Sequence, residues 1–436
     1  MRRLDYRGPL RCCFAGSPVG VLASGHARRV DHCIHQRVGL VAIGAIAVSA
    51  RSLAPDLARG AMLLLIALAN AHLYLYGRPV GVRGYPIPES TSERLVVLVQ
   101  MTLVDGRAYP MFAFLFGYGI AQLWRRHTST GVNEVAIHKV LHRRGWWMIL
   151  FGFLHALLLF SGDIIGAYGF LAVVLAGLLI RTGDEKLLIL AGVWTVPIMA
   201  FGALQTLPGP EGSESFLPSM SITDPLAAAA IRAIEWIQLT VVLSVFSLVP
   251  AMLIGVWAGR RRLLDEPEQH RPLLVRVAVL GVGLAAAGGL PMALMAASWW
   301  PDPPVAATAL AGVVHALTGY AGGVGYAAIA GLIAIWARNR NRDRPSPMIT
   351  ALAACGQRSM TCYLLQSVVF VAVLAAYGGG LGNRFGLAAT AALATATWAL
   401  TVLLANGMAH RNYRGPAEVL LRRLTYRRTP YRPGRG

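Results

Sequence analysis

The residues best equipped for chemistry in this sequence are a few histidines, aspartates and arginines set in apolar surroundings: His72, His155 and His315, Asp56 and Asp163, Arg59 and Arg107. An imidazole, with an ordinary pKa of about 6.5, can accept a proton and return it within one reaction. A carboxylate can orient such a ring, and a guanidinium can stabilise a developing oxyanion or hold an anionic acceptor. His155 sits about ten residues into an apolar run, and Asp163 follows in Ser161-Gly162-Asp163. On a straight helix the two are about 12 Å apart along the axis, too far to pair. Asp163 is therefore expected to orient a histidine of another segment, His72 or His315.

Each of these residues also has a plain structural reading. Asp56 and Arg59, three apart on one helix face, form either a local ion pair with Arg59 snorkelling to lipid phosphate or an anchor for a phosphate-bearing donor. His72 is an interfacial histidine or a base, and His155 a satisfied core residue or a proton-transfer group. Arg107 pairs with Asp105 or stabilises an oxyanion. Asn70, Tyr363 and Gln366 make interhelical hydrogen bonds or touch substrate. His315 precedes Gly319, Gly322, Gly323 and Gly325, a small-residue stripe suited to close helix packing rather than to a nucleotide loop.

The elements that must position these groups are dictated by solvent. Of 436 residues 56% are hydrophobic and 14% charged, against about 25% charged in soluble domains. A helix crossing about 30 Å of hydrocarbon needs roughly 20 apolar residues. Runs of that kind predict an all-α, polytopic integral membrane protein with about ten transmembrane helices, at 57–77, 107–124, 145–161, 163–181, 187–207, 236–259, 275–299, 310–337, 359–378 and 385–407. A charged residue at mid-membrane costs about 2.5–3.5 kcal/mol on insertion scales, so the polar groups kept there face a partner or a cavity.

The net charge of +20 lies in arginine clusters between apolar runs. That pattern fits internal loops facing anionic lipid, with both termini inside, and excludes the basic surface of a nucleic-acid binder. The loop 78–94 and Arg384 break the asymmetry. Residues 1–50 form a basic N-terminal tail, of which 1–37 carry no clean signal peptide and admit an overextended start. Residues 51–207 and 236–407 are two sets of membrane helices, 208–235 an external loop region whose Pro-, Gly- and Ser-rich part, 208–227, reads as a mobile connector, and 408–436 a basic internal tail. The run 38–50 is too short to span, and 93–105 reads as interfacial or re-entrant. The two halves share no inverted repeat, which disfavours a transporter built on one. Cys12, Cys13 and Cys33 among His26, His32 and His35 match no metal-ligand spacing, and no GxSxG is present.

The segments RSLAPDLARGAMLLLIALANAHLYLYG, GRAYPMFAFLFGYGIAQLWRR, RRGWWMILFGFLHALLLFSGDIIGAYGFLAVVLAGLLIR, GQRSMTCYLLQSVVF and NYRGPAEVLLRRLTYRR together resemble the YeiB-like membrane proteins that carry the domain of unknown function 418. The resemblance covers roughly 51–430. It implies a multi-pass cell-membrane protein distantly similar to transmembrane acyltransferases, which pass an acyl group from acyl-CoA to a glycan across the bilayer. It implies acyl-CoA as a donor substrate, with no bound cofactor or metal, and carries a catalytic histidine over to His72, two residues from the family's Asn at Asn70. The expected function is acyl transfer to an envelope glycan, lipid or metabolite. His72 or His155 would be the base, Asp163 the orienter and Arg107 the charge stabiliser, while Asp56 and Arg59 hold the donor and Asn70, His315, Tyr363 and Gln366 line the site. A transporter or flippase of an amphipathic solute, and a non-catalytic membrane partner, are the rival readings. Membrane lipids and a small-molecule or glycan substrate are the expected partners.

Overall fold

In the computed structural model, residues 52–207, 214–340 and 346–426 are described. The N-terminal tail and its cysteines, the run 38–50 and the tip of the connector at 208–213 lie outside them. Fifteen α-helices carry the architecture, and among the described residues the only β-type pairings are isolated bridges, Tyr76 to Ser215 and Val80 to Pro86. The helices are α1 (Leu53–Ala71), α2 (Thr91–Leu103), α3 (Ala108–Ser129), α4 (Glu134–Leu158), α5 (Ile165–Arg181), α6 (Asp184–Val193) and α7 (Thr195–Leu204). Next come α8 (Pro225–Val242), running through a π-helical segment Leu243–Leu248 into α9 (Val249–Arg260), then α10 (Arg271–Ala296) and α11 (Val305–Arg340). The last are α12 (Pro347–Gln357), α13 (Ser359–Leu374), α14 (Leu387–His410) and α15 (Pro416–Thr425).

Six of these helical stretches are long and apolar enough to cross a membrane, or seven if the bent pair α12–α13 is one span. The other expected spans coincide with helices that miss that measure. α3 ends in Arg125-Arg126-His127, α4 opens on a polar stretch from Glu134 to Arg144, α5 is 17 residues long, and α9 is the short continuation of α8. Two boundaries move. The expected span 236–259 begins at Pro225, and 359–378 is the outer limb of a pair bent by 85° after Gln357. The helices turn apolar side chains outward: Val193, Val196, Leu280 and Leu403 are each more than 60% exposed. Hydrocarbon in place of water is the solvent such a perimeter requires.

Packing pairs distant parts of the chain: α1 lies against α12 and α14, α3 against α9, α7 against α11, α4 against α5 and α10 against α11. The α1–α12 crossing is tight because two glycines face backbone. A Cβ at Gly60 would collide with the Leu352 carbonyl, and one at Gly356 with the Asp56 carbonyl. Helix α2, where an interfacial piece was expected, is capped by Ser90 and packs on α10 and α14. The described part of the connector is built into the fold rather than loose. Leu217 and Met220 are buried, Met220 accepts a backbone bond from Ala376, and Ser219 binds Glu235 of α8. The stretch read as a C-terminal tail contains the amphipathic α15, which packs on α4 and α13.

Replacing Gly356 by alanine pushes a methyl group into the α1 backbone, an overpacking that costs about 1–3 kcal/mol. Its thermal midpoint in detergent is expected to fall by several degrees. Gly407→Ala, where an added Cβ meets nothing within 4 Å, is expected to leave the midpoint unchanged or raise it.

Candidate functional site

Asp163 and His155 meet, contrary to the straight-helix expectation. Helix α4 stops at Leu158, five residues before Asp163, and the chain doubles back through 159–164. The turn is held from α8. Arg232 donates to the Leu157 carbonyl at 2.8 and 3.0 Å, and Glu235 accepts from the Ser161 hydroxyl at 2.6 Å. The Asp163 carboxylate then faces back along α4. Its Oδ1 accepts from His155 Nδ1 at 2.9 Å, and its Oδ2 accepts the Gly166 N–H at 2.6 Å in the first turn of α5, where the helix end favours an anion. Gly152 makes room for the carboxylate, since a Cβ there would overlap both Asp163 Oδ2 and the Gly166 nitrogen.

With its Nδ1–H given to Asp163, His155 presents a bare Nε2. That nitrogen lies 2.9 Å from the Ser367 hydroxyl of α13. The His155 and Asp163 side chains are 1% and 0% exposed. Serine, imidazole and carboxylate in this order are the arrangement by which a hydroxyl loses its proton to a base that a third group orients. The Tyr363 ring, one helical turn before Ser367, lies 5.0 Å from the His155 ring.

A cavity of about 1240 Å³ leads to this group. Its wall on α3 runs from Phe112 to His127, roughly 22 Å of helix by a rise of about 1.5 Å per residue. At one end it is walled by Arg125, Arg126, Arg144, Arg358 and Arg422, and eight arginines in all face three carboxylates among its lining residues. At the other it reaches Tyr363, Ile164 and Ile165, the neighbours of His155 and Asp163. Asp56 and Arg59 lie on its wall and pair at 3.3 Å, and Arg59 also donates to the Leu115 carbonyl at 3.4 Å. Helix α15 closes one side. Its Glu418 accepts the Met360 and Thr361 N–H groups at the start of α13 at 2.9 and 3.0 Å and also bonds the Thr361 hydroxyl.

The remaining expected residues form a second group at the opposite end of the helices. Arg107 pairs not with the Asp105 carboxylate but with its carbonyl, with the Ala285 carbonyl at 2.5 Å and with His315 Nδ1 at 3.2 Å. His315 Nε2 lies 3.0 Å from the same Arg107 nitrogen and 3.3 Å from Asp105 Oδ2, so the ring sits between the guanidinium and the carboxylate. Arg83, which breaks the charge asymmetry of the loops, is spent here: it binds Asp105 at 2.5 Å and the Gln205 side chain, while Arg78 lies 3.7 Å from Glu93. Burial alone would raise the Asp105 pKa. The Arg83 guanidinium and His315 outweigh burial and hold the carboxyl well below the ordinary range, so its stabilisation is present at neutral pH and lost as pH falls through that depressed value. His72 stacks on Tyr85 at 3.8 Å beside this network.

Asp163, expected to orient His72 or His315, thus pairs with His155 instead, while Arg107 and His315 meet in the second group with His72 beside them. Gln366 makes the expected interhelical bond, to the Leu63 carbonyl at 3.3 Å. Asn70 is half-buried and joins neither group. Ser367 went unread because a hydroxyl in an apolar helix can satisfy itself on a carbonyl one turn back, as Ser367 also does on Tyr363. Arg83 left one signal, a basic residue on the wrong side of the charge pattern.

Residues 258–428 match the family model described as protein of unknown function (DUF418). The chain is also 25% identical over 340 residues, 72% of its own length and 78% of the other's, to the uncharacterised protein YxaH of Bacillus subtilis (strain 168). Tyr363, Ser367 and His315 fall within the matched region; His155 and Asp163 precede it.

Asp105→Asn removes the carboxylate that answers the buried Arg83 guanidinium, and breaking a buried pair from one side costs about 3–5 kcal/mol. The variant is expected to unfold at clearly lower denaturant or temperature. Glu89→Gln, at a side chain 68% exposed, is expected to match wild type.

Proposed function

We propose that this chain, which belongs to the DUF418 family through residues 258–428, is a multi-pass protein of the cell membrane that transfers an acyl group from an anionic donor to a hydroxyl or amine of an envelope glycan, lipid or metabolite. In this reading about ten segments cross the bilayer, both termini lie inside, and the arginine-rich connections face the cytoplasm. The observation that carries it is the cavity. A cationic mouth and an apolar interior fit an amphipathic donor with a charged head and a greasy or acyl-bearing end, and the interior reaches Tyr363, whose ring lies 5.0 Å from the oriented His155 imidazole.

His155 is the general base, positioned by Asp163. Held out of water, a histidine with its Nδ1–H fixed on a carboxylate has one task open to its other nitrogen, taking a proton from a hydroxyl or amine. Arginines at the mouth hold the donor's phosphate or carboxylate groups, which guanidinium binds in a planar fork, and acyl-CoA is a donor of that kind. Asp56 and Arg59 belong to this pole. Arg107 and His315 stand with the opposite network, whose bonds to Asp105 and Ala285 favour a structural part for them. Helix α11 is long enough to cross hydrocarbon with residues to spare, at roughly 54 Å for 36 residues.

Membrane preparations carrying the full chain, given a radiolabelled acyl thioester, are expected to label an envelope acceptor. His155→Ala is expected to lower the rate about 100-fold or more, the usual worth of a positioned base. Arg126→Ala with Arg422→Ala is expected to raise KM roughly tenfold with a smaller change in kcat, the mark of lost donor binding. Equal transfer by wild type and by the His72→Ala, His155→Ala double variant would sink the assignment. Movement of an intact solute with no covalent change would replace it with transport.

A further inference from the structure

We propose that Ser367 carries the acyl group as an ester between two half-reactions, an inference that rests on the acyl-transfer reading. The group contains the nucleophile, base and orienting carboxylate of that step. The Ser367 hydroxyl is 2.9 Å from His155 Nε2, the opposite ring nitrogen is 2.9 Å from Asp163 Oδ1, and the carboxylate is fixed through its other oxygen by the Gly166 N–H at 2.6 Å. A serine that only had to satisfy its hydroxyl in an apolar helix needs nothing beyond its own backbone. A buried carboxylate and imidazole brought to it from two other segments are costly partners for a packing contact, and apolar side chains of similar size would pack there at less expense.

Access runs along the helix that bears the serine. Tyr363 and Ser367 are one turn apart, on one face of α13, and Tyr363 lines the cavity, as does Ile164 next to Asp163. An acyl chain advancing from the cationic mouth reaches the Tyr363 ring before it reaches Ser367, so this ring is the last barrier between donor and nucleophile.

In the first half-reaction Ser367 Oγ attacks the carbonyl carbon of the donor ester or thioester and passes its proton to His155 Nε2. The bond from serine oxygen to acyl carbon forms, the bond to the donor's leaving oxygen or sulfur breaks, and His155 returns the proton to the leaving group. In the second, the acceptor's hydroxyl or amine gives its proton to His155 and bonds the acyl carbon. The serine ester then breaks, and the proton goes back to Ser367 Oγ. No redox change occurs, and nothing beyond donor and acceptor is consumed. The donor can leave before the acceptor arrives, which suits a buried site whose cationic approach is matched to only one of them.

The test uses the purified full-length protein in lipid nanodiscs with a radiolabelled fatty acyl thioester and no acceptor, followed by denaturation, digestion and mass spectrometry. The expected result is stoichiometric label on the peptide containing Ser367. Ser367→Ala is expected to take no label and to lose transfer by about 100-fold or more. Ser367→Cys is expected to take label that neutral hydroxylamine removes, as from a thioester, and this positive result holds even if the alanine variant folds poorly. Transfer by Ser367→Ala at the wild-type rate, or label found on another residue, overturns the acyl-serine and leaves acyl transfer standing. Wild-type protein that neither takes label nor acylates any acceptor in membranes overturns both.

Discussion

A carboxylate kept from water must have its charge answered from within the protein, and at Asp163 that requirement organises the surrounding segments. One oxygen is taken by His155 and the other by the first turn of α5. The answer holds only if α4 ends where it does, if α8 pins the reversal through Arg232 and Glu235, and if residue 152 has no side chain. Three helices and a turn are therefore committed to a single anion. The apolar surroundings strengthen the constraint, because a segment that slips finds few replacement partners for its lost bonds.

Two polar groups share the apolar interior in different ways. The group at Asp105 is closed: its cations are matched by a carboxylate, carbonyls, a glutamine and a neutral imidazole, all from the chain itself. The group at His155 ends on a hydroxyl with a cavity beside it. A closed network has the properties of a fastener, whereas one that terminates in an exchangeable proton, one helical turn from the cavity residue Tyr363, leaves its last member open to a further partner. The same residue types serve both, so burial alone does not distinguish them; what lies beyond the last hydrogen bond does.

The helical class was legible because apolar runs of membrane length leave a signal in composition that no local detail overrides. His155 and Asp163 were legible as types but not as a pair, since axial distance was computed on a helix that stops at Leu158. The break at 162 was legible in Ser161-Gly162-Asp163, but the tight reversal that turns Asp163 back toward α4 depends on Arg232 and Glu235 of a distant helix. The expectation that Asp163 orients His72 or His315 failed for the related reason that position along an apolar run fixes depth, which is one coordinate of three. The cationic cavity was invisible because its arginines come from five separate stretches, at 59, 125–144, 338, 358 and 414–422, each of which by itself looks like a loop charge facing lipid.

Glu418 gives the end of the chain a mechanical part. Its carboxylate grips the first backbone N–H groups of α13, so α15 is fastened to the helix bearing Ser367 just beyond the 85° bend. The side of α15 is also a wall of the cavity. Displacement of this short amphipathic rod would therefore move the chamber wall and the start of the Ser367 helix together.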